Sequence, residues 1–284
     1  MIATLINSIA FSSLLILVVT GLAVIYGLRG VMNFAHGALY MAGAYLGYTI
    51  AQVANFWVAL IAVPIVMGLV GFPIEFGVFR PLRKLSPMNL ALLTFGAALI
   101  ISDVILRIFG SAAYTANLAG TGLEGTVDLW GQRYPVYRLF VIVVGIVFSL
   151  ALFLWLRFSR SGMYVRAVSQ DPQTSAMTGI NADRIGMWIV CLGTGCAGLA
   201  GVLAAPYVAV LPTMGAQMAT IALIIVVLGG VGSIGGAILM AVIYGFVTTF
   251  GAQFLPEFAA VVPFLVAFLI LVIRPQGLGR SRTT

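Results

Sequence analysis

Residues 157–184 read RFSRSGMYVRAVSQDPQTSAMTGINADR, and the contrast between this stretch and its surroundings decides the fold. It carries four arginines and two aspartates, and Pro172 and Gly179 punctuate what otherwise reads as short helix. Long apolar runs flank it on both sides, so it reads as a polar surface offered to a water-soluble partner by a chain that otherwise lives in lipid. Of the 284 residues, 62% are hydrophobic and 7% charged, whereas soluble domains carry about 25% charged residues. With a mean hydropathy of +1.16, no soluble fold could bury this much apolar surface. Backbone groups in lipid must be satisfied within a helix or a closed barrel. The apolar runs are long and lack two-residue alternation, which excludes a barrel. The fold class is therefore an all-α integral membrane protein, a polytopic helical bundle.

The first apolar run starts at Ile2, with neither a basic region before it nor a small-residue cleavage site after it, and reads as a retained span. Cys191 and Cys196 lie five residues apart in one apolar segment, hence on different sides of a helix. They read as packing residues, not as a disulfide or metal pair.

At about 20 apolar residues per span, spans fall near 6–28, 34–53, 56–78, 88–108, 138–156, 186–206, 216–232, 236–253 and 258–273. That is about nine helices, within a range of eight to ten. The segments 34–53 and 216–253 are rich enough in glycine to be broken or re-entrant. Nine spans put the termini on opposite sides. With a cytoplasmic C-terminus, the inner side collects Arg29, Arg80, Arg83, Lys84, Arg157, Arg160, Arg166, Arg184, Arg274, Arg280 and Arg282, and the outer side keeps Arg107, Arg133 and Arg138. The excess of inner basic residues predicts an outside N-terminus and an inside C-terminus. The chain then reads as one transmembrane domain over 1–284, with an external loop at 110–137 and a cytoplasmic loop at 157–185. The external loop, with Glu124, Asp128, Trp130 and Tyr134, is either a cap facing an external partner or a plain connection with an interfacial aromatic belt.

Residues 37–45 and 236–244 echo each other, with five of nine positions identical. Paired glycine-interrupted segments often mark the substrate path of transporters. The run Gly229-Gly230-Val231-Gly232-Ser233-Ile234-Gly235 is too glycine-rich for a lipid-facing helix, so backbone there should be buried in protein or line a cavity. Gly43 with Gly47, and Gly193, Gly195, Gly198 and Gly201, predict close helix contact.

The inventory of reactive groups excludes most chemistry. There is no phosphate-binding glycine loop ending in Lys-Ser/Thr, no metal-spaced His and Cys set, and a single histidine, His36. An enzyme is hard to build from this set, and chemistry that consumes energy must come from elsewhere. Asp103 and Arg107, four apart, predict a self-neutralising pair on one helix face. Glu75, just ahead of Arg80, Arg83 and Lys84, reads as locally neutralised. No line of ionisable groups crosses the apolar spans, which disfavours the alternative of an ion-coupled secondary carrier or a channel.

The segments GLRGVMNFAHGALYMAGAY, IEFGVFRPLRK, RAVSQDPQTSAMTGINADRIG, LGGVGSIGGAILMAVIYG and the terminal RPQGLGR resemble the branched-chain amino acid ABC transporter permease family, LivH type, from about Gly27 to Arg280. The resemblance implies a subunit of a bacterial inner-membrane uptake system. Its partners would be a second related permease, two cytoplasmic ATPase subunits that carry the ATP and magnesium, and an extracytoplasmic substrate-binding protein. This chain itself would bind no cofactor. The implied cargo is a small amphipathic solute, first a branched-chain or other hydrophobic amino acid, with urea, amides and small aromatic acids as alternatives. In such importers a cytoplasmic loop inserts a short coupling helix into the ATPase. The matching residues here are Arg166, Ala167, Asp171, Ala176, Gly179 and Ile180, with Asp183 and Arg184 placed to orient it by charge. Asp171-Pro172 would start that helix and Gly179 end it, with Met177 on its apolar docking face. Asn33, His36, Gly37, Ser233 and Gly236 are the implied translocation-path residues, with His36 expected to brace a helix end through a backbone carbonyl in preference to touching solute. Family members typically carry glutamate after His-Gly, and Ala38 in its place removes a charge near that path.

Overall fold

A computed structural model of the chain describes residues 1–82, 85–129, 131–230, 232–274 and 277–279. Arg83, Lys84, Trp130, Val231, Arg280 and Arg282, used in the reading above, lie outside the described residues.

Each apolar segment expected to span holds a helix: α1 (Ile2–Arg29), α2 (Ala35–Val53), α3 (Phe56–Ile74), α4 (Pro87–Phe109), α5 (Val136–Phe158), α8 (Ala182–Ala204), α9 (Met214–Gly229), α10 (Ile234–Phe254) and α11 (Val262–Ile273). The polar stretch between α5 and α8 holds α6 (Arg160–Gln170) and α7 (Pro172–Met177). Among the described residues six helices are long and apolar enough to cross a membrane, against about nine expected, α3 being counted with the π-helical turn Glu75–Phe79 that continues it; α2 is not one of the six, and α9 and α11 are shorter apolar helices. An apolar surface that includes Ile61 and Leu69 of α3, Ile100 of α4, Val147 of α5 and Phe268 of α11 is left exposed, as a lipid-embedded bundle requires.

The bundle is built around α1, which is buried along most of its length and packs against α5, α8, α9 and α10. Ser8, Ser13 and Thr20 of α1 are buried without cost because each hydroxyl donates to the carbonyl four residues back, at 2.8, 2.8 and 2.7 Å. The second inner helix is α8, gripped by α1, α2 and α3 through glycine contacts. A Cβ at Gly43 would lie 2.7 Å from Gly198 Cα, and one at Gly193 2.8 Å from Gly21 O, so these backbones meet directly, as the spacing predicts.

The contacts sort the ends of the bundle into two faces. One carries α6, α7, the C-terminal end of α1 and the start of α8; of the fourteen basic residues, Arg29, Arg80, Arg157, Arg160, Arg166, Arg184 and Arg274 belong to it. The opposite face carries Arg107, Arg133 and Arg138 and an antiparallel hairpin of β1 (Thr126–Leu129) and β2 (Gln132–Pro135). This hairpin is the one departure from the all-α expectation among the described residues. Within the 110–137 segment, the hairpin covers only residues 126–135. Tyr134 donates to Asn7 Oδ1 at 2.8 Å, Arg138 donates to the same oxygen, and Tyr114 pairs with Val210 in a β-bridge.

Candidate functional site

Two groups of residues were singled out by the sequence, and the structure puts them in different environments. The first centres on the start of α2. Gly30 closes α1 in the left-handed region (φ 65°), and 31–33 form no regular structure, with Val31 and Asn33 buried, before α2 begins. Thr94 of α4 holds this non-helical segment: its hydroxyl accepts from Phe34 N at 3.2 Å and lies 3.4 Å from Met32 O. Asn33 Oδ1 accepts from Ala35 N at 3.1 Å, starting the helix. His36, 1% exposed, donates from Nε2 to Val18 O of α1 at 2.9 Å. Irregular backbone at this depth is tolerated because protein surrounds it.

Ser233 and Gly236 sit at the other break, between α9 and α10, where Gly230 and Gly232 take φ of 93° and 79°. Ser233 caps α10, its Oγ accepting from Gly236 N at 3.1 Å. The third helical residue of α2, Gly37, abuts Gly215 O at the start of α9, and the third of α10, Gly236, abuts Gly229 O at the end of α9. The two echoing segments thus clamp the two ends of one helix. The chain's last described residues complete this lock, Leu278 N donating to Leu228 O and Gly279 N to Gly229 O, both at 2.8 Å. Asn33, His36, Gly37 and Gly236 are packed against the chain's own backbone.

The α6–α7 loop is the second group. Ser159 caps α6 through Gly162 N at 2.9 Å, and Gly162, Val165 and Val168 seat one face of α6 on the bundle. At α7, Asp171 Oδ1 accepts from Gln173 N and Thr174 N at 2.9 and 3.1 Å, with Pro172 in the first turn. The Thr174 hydroxyl and amide hold the Asp171 carboxyl below the ordinary carboxylate range. The helix stops where Gly179 takes φ 84°, with Gly179 N donating to Ala176 O and Ile180 N to Ser175 O. Met177 at its tip is 88% exposed, and Ala176 is exposed beside it.

Behind this loop lies an ionic girdle that sequence reasoning missed. Glu75, 1% exposed, is paired with Arg29 of α1, which corrects the reading of local neutralisation. The guanidinium lies on Gly186 of α8, where a Cβ would sit 2.6 Å from its Cζ. Arg80 bonds Asp183 at 3.5 Å, so Asp183 is engaged within the chain. Glu75 opens the π-helical turn in which Arg80 N donates to Glu75 O at 2.8 Å. The only advance signal was an unmatched acid at the end of one span and an unmatched arginine at the end of another, 46 residues apart in sequence. Asp103 and Arg107 pair locally at 2.6 Å, as their spacing predicts.

Broken helices buried in protein, a capped polar loop at a basic face and an apolar outer surface define a multi-pass membrane permease. The fold is shared with a chain of the structure described as PsaBC from Streptococcus pneumoniae in complex with Fab, with a TM-score of 0.51 at 15% identity over 95% of this chain and 90% of that one. The family model described as the permease component of branched-chain amino acid transport systems matches residues 4–273. The high-affinity branched-chain amino acid transport permease protein LivH of Salmonella typhimurium is 28% identical, covering 96% of this chain and 94% of its own length. BraD of Pseudomonas aeruginosa, of the same description, is 30% identical over 97% and 95%. The chain belongs to the branched-chain amino acid ABC transporter permease family.

Proposed function

We propose that this chain is the membrane subunit of an ATP-driven importer in a bacterial inner membrane, with its N-terminus outside and its α6–α7 face in the cytoplasm. The solute is a small amphipathic molecule, a branched-chain or other hydrophobic amino acid first. A second related permease, two ATPase subunits and an external binding protein complete the assembly, and ATP and magnesium belong to the ATPase subunits. Family membership supports this reading, and so does the distribution of arginines between the two faces. The observation that carries the coupling assignment is α7 itself: a short helix fixed at both ends that holds Ala176 and Met177 out in solvent. A helix so delimited moves as a rigid body, and its apolar tip fits a groove of a soluble partner. The breaks before α2 and α10 are where we place the flexing elements of the solute path, with Asn33, His36, Gly37, Ser233 and Gly236 shaping the backbone there.

Co-expression with the cognate ATPase subunits tests the assignment. The intact chain co-purifies with them, and Asp171→Arg combined with Ala176→Pro lowers solute uptake at least about tenfold while ATP hydrolysis persists. Undiminished uptake in the double variant removes α7 from coupling. The solute itself is read by measuring what the cognate binding protein binds.

A further inference from the structure

We propose that a cleft between α1, α5, α6 and the start of α10 binds the anionic headgroup of a phospholipid from the leaflet at the α6–α7 face. The cleft has a volume of about 280 Å³, and Arg157, Arg166 and Ser169 line it together with an apolar wall that includes Val24, Leu28 and Leu156. Arg157 stands in the last turn of α5, and Gly27 and Leu28 in the last turn of α1, where the apolar helices end.

Charge selects the ligand. Among the described residues, no acidic side chain lines the cleft. Among the described residues the ion pairs use Arg29, Arg80 and Arg107, and neither Arg157 nor Arg166 enters one. Two guanidinium forks match phosphate oxygens, and the backbone of Ile234 and Gly235, in the first turn of α10, adds positive partial charge. A zwitterionic amino acid would leave its ammonium facing two arginines with no carboxylate to meet it, so the cleft does not suit the solute proposed above. An amphiphile with a purely anionic head and an apolar body satisfies both walls, as basic pockets between membrane helices do for anionic lipids. Because Arg166 belongs to α6 and Gly232 and Gly235 to the break before α10, an occupied cleft ties the α6–α7 loop to that break.

The test is lipid retention by the full-length chain, measured by native mass spectrometry after release from nanodiscs of mixed phosphatidylglycerol and phosphatidylcholine. We expect retained phosphatidylglycerol to exceed phosphatidylcholine by about tenfold or more. The preference falls to parity in Arg157→Gln with Arg166→Gln, and survives in Arg160→Gln, an exposed arginine of the same face outside the cleft. Equal retention of the two lipids by the unmodified chain overturns the site, and so does an undiminished preference in the double variant. Glycerol phosphate displacing the lipid at equal concentration overturns the lipid assignment in favour of a soluble anion. One arm needs no variant: retention by the unmodified chain weakens as salt is added, and retention indifferent to salt also refutes the site.

Discussion

Arg29 and Glu75 are the residues on which the α6–α7 end of the bundle depends. A carboxylate 1% exposed is tolerated only because a guanidinium reaches it from another helix. Glu75→Ala therefore removes this interhelical ion pair and should cost about 3 kcal/mol, read as a lowered Tm in detergent. Replacing both with methionine should recover part of that loss, because both members of the buried pair are then replaced by apolar side chains. Glycines divide by contact in the same way. At Gly43 a Cβ would lie 2.7 Å from Gly198 Cα, so Gly43→Ala should destabilise by about 1–3 kcal/mol. At Gly96 of α4 nothing lies within 4 Å, and Gly96→Ala should stabilise by up to about 1 kcal/mol through helix propensity alone. Thermal unfolding of the two variants side by side checks both signs.

At the scale of elements, α7 is held by its ends, not by burial. Its N-terminal bonds require the Asp171 carboxylate, whose folded pKa is depressed by Thr174. A depressed pKa contributes stability that is present above the unfolded value, about 3.9, and lost as the pH falls through the folded value. Hydrogen exchange at the Gln173 and Thr174 amides, corrected for the intrinsic rate, should stay slow down to the ordinary carboxylate range and quicken below it. Asp171→Asn, which keeps an accepting oxygen, should retain most of the protection and lose its pH dependence. The helix itself was legible in advance: Asp-Pro starts it and glycine stops it, and these are local signals. Nothing local announced the π-helical turn at Glu75–Phe79, which orients Glu75 toward one helix and Arg80 toward another.

For the whole molecule, α1 is the axis and the C-terminal segment is the fastener. Residues 277–279 lie on glycines of α9 and α10, and a Cβ at Gly279 would sit 2.5 Å from Gly229 O. Gly279→Val should destabilise by about 1–3 kcal/mol and raise hydrogen exchange across residues 228–236. The proposed orientation predicts that, with both native cysteines replaced, Met177→Cys is labelled only from the cytoplasmic side and Asp128→Cys only from outside. Labelling of Met177→Cys in sealed right-side-out cells by an impermeant reagent would reverse the topology.

Membrane residence, the positions of the apolar helices and the ends of α7 were determined by the sequence alone, because hydropathy, capping residues and glycine signals act over a few neighbouring positions. The family was legible too, carried by motifs such as Asn33-Phe34-Ala35-His36-Gly37. Only the tertiary structure decided that Glu75 answers Arg29, that Gly37 and Gly236 clamp the two ends of α9, that the 110–137 segment folds onto Asn7, and that Arg157 and Arg166 share one cleft. Each of these joins positions far apart in the chain. In a bundle where nearly every helix is apolar on all sides, no periodicity marks which face meets which neighbour.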